Sequence, residues 1–367
     1  MEENKKNSNL FIGVMSGTSL DGIDIALCEI NNNKIQTLNT KEYSYDSKIK
    51  EDVLNAISRS ISIEFIGTLN HKLALMYTNA LQHFLTEFNI DSKDISAIGL
   101  HGQTIWHEPD SPYPFSMQLG DGALVAKNLQ INVVNDFRSA DIANGGQGAP
   151  LTPAFHQAIF ENKSTSVLNL GGIANITILS DDFIGYDVGV ANILCDYWIN
   201  KHQNKTFDKD GAWASNGKVN DELLQELLSD PYFKQLAPKS TGREYFNAFW
   251  LENKLELFPN ISEVDVQATL VEFTIIPIIE ALKNYKVNRL IVCGGGAHNI
   301  FLMDKLSQKL SNIEVLKSDS VGINSNYLEA IAFAWLAYKR VNHESIDLTT
   351  ITGAKQASIL GAIHAKD

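Results

Sequence analysis

The chain has 367 residues, of which 44% are hydrophobic and 20% charged, and a formal net charge of -13. That length exceeds one ordinary core and fits two domains of roughly 150 to 200 residues, and the acidic balance, with no basic stripe, excludes a nucleic-acid surface, where phosphate contacts demand clustered Lys and Arg. A polar amino terminus and the lack of any run of about 18 apolar residues predict a cytoplasmic protein with no membrane partner.

The first predicted element is an apolar strand, Leu10 to Met15, that breaks into Ser16-Gly17-Thr18-Ser19-Leu20-Asp21-Gly22 and resumes with Ile23, Ile25 and Leu27 in alternation. This is a β-hairpin whose glycines admit a close ligand, whose hydroxyls donate, and whose Asp21 offers a hard oxygen that suits water-mediated Mg2+. It is neither a Walker A loop nor a dinucleotide fingerprint. A phosphate-binding hairpin at the start of a chain suggests the actin, sugar kinase and Hsp70 type of ATPase, although the same residues suit an ordinary tight turn.

Spacing by three and four predicts core-facing helices between Glu51 and Asn89. A short strand, Ala97 to Leu100, then ends in His101-Gly102-Gln103-Thr104, at the kind of strand end where open α/β sheets bind ligands. His101 reads equally well as bonded to a neighbouring backbone. After Gln118-Leu119-Gly120-Asp121-Gly122 and a helix from Ala123 to Asn128, the strand Ile131 to Val134 runs into Asn135-Asp136-Phe137-Arg138-Ser139-Ala140-Asp141. Arg138 suits a bidentate clamp on an anion, and it suits an ion pair with Asp136 or Asp141; both readings stay open.

A second hairpin, Val167 to Ile178 with Gly171-Gly172 at its turn, repeats the grammar of the first and predicts an internally duplicated fold divided between Pro150 and Lys163. The next strand carries Asp187 between glycines, placed either as a general base or as the cap of the following helix. Helix Asp221 to Leu228 follows, then a donor-rich stretch, Pro238 to Phe246, that reads as a cleft lining or a solvated loop. Val266 to Tyr285 is a long helix with Pro277 inside, so a kink or break is expected. Strand Arg289 to Cys293 meets Gly294-Gly295-Gly296-Ala297-His298-Asn299 before a helix from Ile300, a place for a nucleotide or a plain strand-to-helix turn. Glu329 opens the last apolar helix, favourable on dipole grounds alone. Cys28, Cys195 and Cys293 are far apart in apolar segments and read as reduced core residues.

Taken together, GVMSGTSLDGID (13–24), GLHGQT (99–104), QLGDG (118–122), VVNDFRSADIANGGQGAPL (133–151), NLGGIANIT (169–177), STGREYFN (240–247), CGGGAHN (293–299) and LEAIAFAWLA (328–337) resemble the anhydro-N-acetylmuramic acid kinase family. The resemblance implies an α/β, two-domain actin-like ATPase fold with duplicated sheet-and-helix domains, here 1–155 and 156–367, and a central cleft. It implies ATP and Mg2+, a small-molecule substrate, 1,6-anhydro-N-acetylmuramic acid, whose anhydro ring is opened by water while O6 is phosphorylated, and a homodimer.

Carried over by motif, Gly17, Thr18, Ser19, Leu20, Asp21, Gly22, Ile23 and Asp24 would bind ATP phosphates, with Asp21 at the metal. Gly171, Gly172, Gly294, Gly295, Gly296 and Asn299 would border the nucleotide. Asp187 matches the catalytic base, and Arg138, Glu329, Asn192 and His101 fall to the substrate. The family usually reads D-T-G-P-G-N at the base, whereas this chain has Asp187-Val188-Gly189-Val190-Ala191-Asn192. That departure leaves two rivals, a related sugar kinase of the same fold and a nucleotide- or muropeptide-sugar sensor.

Overall fold

The computed structural model describes residues 8–17, 20, 22–32, 34–58, 60–160, 164–180, 183–237, 239–243 and 245–367. The chain divides into two compact units, one made of 1–159 with 327–367 and the other of 160–326.

In the first unit β1 (Leu10–Met15), β2 (Gly22–Asn31) and β3 (Lys34–Ser44) form an antiparallel meander. On the far side of β1, β4 (Ile95–Leu100) runs parallel to it; a separate two-stranded hairpin of β5 (Gln103–Glu108) and β6 (Phe115–Leu119) follows, and β7 (Val133–Asn135) adds parallel to β4. Strand β1 is flanked on both edges, and its Phe11, Ile12 and Val14 are buried, as a continuous apolar run in a central strand requires. Helices α1 (Ser47–Ser58) and α2 (Ile63–Glu87) supply further core, with Leu69, Leu73, Tyr77, Leu81 and Phe84 of α2 buried at helical spacing. Helix α3 (Gly122–Leu129) is capped by Asp121, and α4 (Ser139–Ala143) and α5 (Thr152–Ile159) follow β7.

The second unit repeats the plan. Strands β8 (Thr165–Leu170), β9 (Ile173–Leu179) and β10 (Ile184–Val190) form the meander. After α6 (Asn192–Gln203), α7 (Asp221–Leu228), α8 (Ala248–Leu255) and α9 (Glu263–Leu282), β11 (Arg289–Cys293) lies parallel to β8. Helix α10 (Ile300–Lys309) then leads to β12 (Glu314–Lys317), parallel to β11. Both sheets therefore run third, second, first, fourth, fifth in their own strand order, β3-β2-β1-β4-β7 and β10-β9-β8-β11-β12. This duplicated α/β arrangement is the actin-like ATPase fold.

Two expectations change. Helix α9 runs past Pro277 without a break; the proline lies near the carboxyl end of a helix buried along most of its length, so packing outweighs the one hydrogen bond it removes. The tail does not stay with the second unit, as a domain of 156–367 would require. Helix α11 (Leu328–Val341) lies on β1, β2 and β4, and β13 (Ala362–His364) pairs antiparallel to β7. The reason is close approach: a Cβ on Gly13 would sit 1.7 Å from the carbonyl oxygen of Ala330, and one on Gly99 would sit 2.0 Å from that of Phe333. Two glycines thus seat the helix backbone on the strands.

None of the three cysteines forms a disulfide, and Cys28 and Cys293 are buried. No helix among the described residues is long and apolar enough to cross a membrane.

Candidate active site

In the first unit, His101 leaves the end of β4 with its amide donating to Val14 O at 3.1 Å. Its ring packs on Phe333, 4.7 Å between centroids. Arg138, between β7 and α4, places Nη2 2.9 Å from His101 Nε2 and donates through Nη1 to Gly148 O at 3.1 Å. A guanidinium only donates, so Nε2 accepts and the imidazole proton sits on Nδ1. Burial, aided by the Arg138 charge, depresses His101 to about 3 and keeps it neutral. Burial also lowers Arg138 to about 10 against the opposing pull of Glu329, while burial raises Glu329 with Arg138 resisting.

Among the described residues neither aspartate of the two sequence-based alternatives bonds to Arg138. Asp136 accepts from Ser139 Oγ at 2.6 Å. Asp141 accepts from Gly148 N at 2.7 Å and Thr352 Oγ1 at 2.8 Å, which turns the Gly148 carbonyl toward the guanidinium. Nε of Arg138 is buried with no hydrogen-bond partner among the described residues, a donor left for an anion. Beside these groups opens a polar cavity of about 190 Å3, lined by His101, Ser116, Gln118, Asn135, Asp136 and Ser139.

At the first hairpin, Thr18, Ser19 and Asp21 lie outside the described residues. Leu20 is 1% exposed, with φ 56° and its amide on Gly17 O at 3.2 Å. The side chains of Leu20 and Ile23 are in the core, so these two positions offer a ligand backbone only. Ser16 is a correction: its hydroxyl is buried 2.7 Å from Tyr77 OH and is not an outward donor. Asp24 stands opposite Glu42 across β2 and β3, and burial, with Glu42 and then Glu329 adding repulsion, raises its carboxyl to about 7.

In the second unit the β8–β9 turn is laced to the loop after β10. Amides of Ala191, Asn192 and Ile193 donate to the Gly171 and Gly172 carbonyls, and the Asn192 side chain donates to Leu170 O and Gly171 O at 3.0 and 2.8 Å. Asn192 therefore holds the turn through its amide group. Gly294 (φ 78°) and Gly296 press on the same turn, where a Cβ would meet Asn169 Oδ1 at 2.3 Å or Leu170 Cβ at 2.6 Å. Gly295 alone of the three has open space where a Cβ would be. A 3-10 turn, Gly295–His298, stands between the glycines and α10, and Asn299 is spent as the helix cap, accepting from Leu302 N at 3.0 Å.

Asp187 does not cap α6, which starts after Ala191 without a side-chain cap. It sits at a β-bulge, where the β10–β9 register shifts between Asp187 and Gly189. Oδ2 accepts from Ser240 Oγ at 2.9 Å and Thr241 N at 3.1 Å. Val188, Val190 and Ala191, the positions that depart from the usual motif, are at most 2% exposed and pack into the cores. The departure is taken up by packing.

Residues 9–366 match the anhydro-N-acetylmuramic acid kinase family. The chain belongs to this family. A relative from Sulfurimonas denitrificans, named anhydro-N-acetylmuramic acid kinase, is 47% identical over 366 residues, covering 97% of this chain and 100% of its own. One of the same name from Pasteurella multocida is 46% identical over 371 residues, covering 99% and 98%. Component A of (R)-2-hydroxyglutaryl-CoA dehydratase from Acidaminococcus fermentans, a solved structure, has 12% identity and a TM-score of 0.48, covering 91% of this chain and 100% of that one.

Within this chain the structure brings His101, Arg138 and Glu329 together in one unit, and Asp187, Asn192, Gly171, Gly172 and Gly294–Gly296 in the other. Sequence reasoning passed over Ser240, Thr241 and Tyr232 as partners of Asp187, and Ser116 and Gln118 in the polar cavity. The donor-rich stretch from Lys239 was the available signal for the first group.

Proposed function

We propose that the chain is an ATP-dependent kinase that opens 1,6-anhydro-N-acetylmuramic acid with water and phosphorylates O6, releasing N-acetylmuramate 6-phosphate and ADP in cell-wall recycling. The observation that carries this reading is the family match along residues 9–366, with relatives of that name aligned over nearly their full length. Retention of Asp187, Arg138 and Glu329 favours an enzyme over a sensor, since a binder has no need of a base.

In this reading Asp187 takes the proton from the water that attacks the anomeric carbon, the bond from that carbon to O6 breaks, and O6 attacks the γ-phosphoryl group in line. Arg138, with an unused buried donor and a neutral His101 beside it, receives the lactyl carboxylate. Glu329 contacts the sugar. Amides of the first hairpin and the open face at Gly295 take the nucleotide.

Asp24 on β2 and Glu42 on β3 stand opposite each other, and among the described residues no group of three such side chains gathers to hold a metal; Mg2+ would need only one or two carboxylates plus phosphate oxygens. Asp21 is the residue we assign to it, and when bound the ion neutralises charge on the transferring group. We further propose that the enzyme works as a homodimer in the cytoplasm.

The test is a coupled ADP-release assay with ATP, Mg2+ and the anhydro sugar, the product identified by mass. ADP with one equivalent of N-acetylmuramate 6-phosphate is expected. Turnover only on N-acetylmuramic acid, which has no anhydro bond, would make this a different sugar kinase.

A further inference from the structure

We infer that Asp230, Tyr232 and residues 239–241 form a positioning device for Asp187, and that Ser240 is the positioning residue that sets the orientation of its carboxylate. This rests on the reading of Asp187 as the general base.

Asp187 lies where its own strand pairing is interrupted. The bulge at Val188 breaks the β10–β9 ladder next to it, so its strand neighbour fixes it less than an unbroken register would. A single segment about fifty residues downstream replaces that support on both main chain and side chain. The Asp187 amide donates to Lys239 O at 3.0 Å, and its carbonyl accepts from Tyr232 OH at 2.5 Å. Ser240 Oγ and Thr241 N both donate to one carboxylate oxygen, Oδ2. Two donors on Oδ2 favour one orientation of the group about its terminal torsion, which is otherwise broad.

The segment is itself anchored. Asp230, 5% exposed, accepts from Tyr232 N at 2.9 Å, Tyr245 OH at 2.8 Å and Trp250 Nε1 at 2.9 Å. Lys239 Nζ donates to Tyr232 O at 3.0 Å and stands 4.4 Å over the Tyr232 ring. Burial, with the Asp187 charge next, pushes the Tyr232 hydroxyl well above its ordinary range, so it stays protonated and keeps donating. Phe246 and Phe273 lock the surrounding rings edge to face. Ser240, by contrast, is exposed, so its hydroxyl contributes little to the core.

The experiment compares Ser240→Ala, Ser240→Thr and Asp187→Asn in the full-length enzyme, with ATP, Mg2+ and the anhydro sugar. Losing a donor to the ionised carboxylate disfavours that form, so Ser240→Ala should lower kcat about tenfold, leave both KM values within about twofold, and move the acid limb of the pH profile up by about one unit. Ser240→Thr, which keeps the hydroxyl, should restore both, and the melting temperature should not move. Parental kcat and acid limb in Ser240→Ala overturn the inference. So does a loss that comes with a fallen melting temperature or raised KM and an unmoved limb, which would make the role structural. Parental turnover by Asp187→Asn overturns the base assignment first, and this inference with it; the two failures are thus told apart.

Discussion

Nη2 of Arg138 donates to Nε2 of His101 across 2.9 Å, so a cation and an imidazole share the carboxyl ends of β7 and β4 without competing for a proton. The histidine is held neutral by burial and by that charge, and it orients the guanidinium from one side while Gly148 O holds the other. Arg138→Ala is expected to weaken binding of the acidic sugar by about ten- to a hundredfold, the range of a charged hydrogen bond, with ATP affinity unchanged. Arg138→Lys should not recover it, because one ammonium cannot reproduce the fork. Calorimetric titration with the sugar measures this, and an unchanged affinity removes Arg138 from the role.

Asp187→Asn keeps the size of the side chain and removes its basicity. General-base help is typically worth about a hundred- to ten-thousandfold, so kcat should fall within that range while the variant still binds ATP. Single-turnover kinetics beside a nucleotide titration separates the two quantities.

Asp24 makes the stability of the first unit depend on pH. Burial and its acidic neighbours push its carboxyl up to about 7 in the folded chain, against an ordinary value of 3.8, so between these the folded state holds a proton that the unfolded state has lost. Stability from this group is present below about 3.8 and is lost as pH rises through 7. Asp24→Asn should therefore stabilise the fold at pH 8, by a few kcal/mol at most at about 1.36 kcal/mol per unit, and raise the melting temperature there, with no gain at pH 4. A variant that gains equally at both pH values would show that the effect is not ionisation.

The glycines divide into two kinds, and substitution should tell them apart. Gly13→Ala drives a methyl group into the Ala330 carbonyl and should cost at least about 3 kcal/mol, beyond ordinary overpacking. Gly295→Ala meets no atom within 4 Å, so its melting temperature should match the parent while ATP affinity drops. Tolerance in the first contradicts the close approach at Gly13, and loss of fold in the second contradicts the open space at Gly295.

What was legible in the sequence was local. Both hairpins and the helix Asp221–Leu228 follow from alternation, turn residues and helical spacing that lie close together along the chain. The repetition of one hairpin pointed to a duplicated fold; the strand order that the two sheets share came from the structure. Contacts over long separations were not legible. Ser240 reaches Asp187 from 53 residues away, and Thr352 reaches Asp141 from 211. No local pattern announces either pair. Pro277 does not break its helix for a related reason: the rule describes an isolated helix, and α9 is buried along most of its length. Asn192 and Asn299 matched positions assigned to ligands, yet their side chains are engaged with backbone, a distinction that only geometry draws.

Helix α11 covers β1 and β4, but more than three hundred residues are translated between Gly13 and Ala330. On the ribosome, where chains emerge from the amino terminus and domains condense as units, the contiguous stretch 160–326 is complete while the earlier sheet still lacks its helix. The second unit is thus the first whose whole sequence is available to fold. Until translation passes Val341, the small-residue surface around Gly13 and Gly99 is without the partner it is shaped for, and nascent chains stalled between about residue 160 and that point should be the ones most dependent on chaperones.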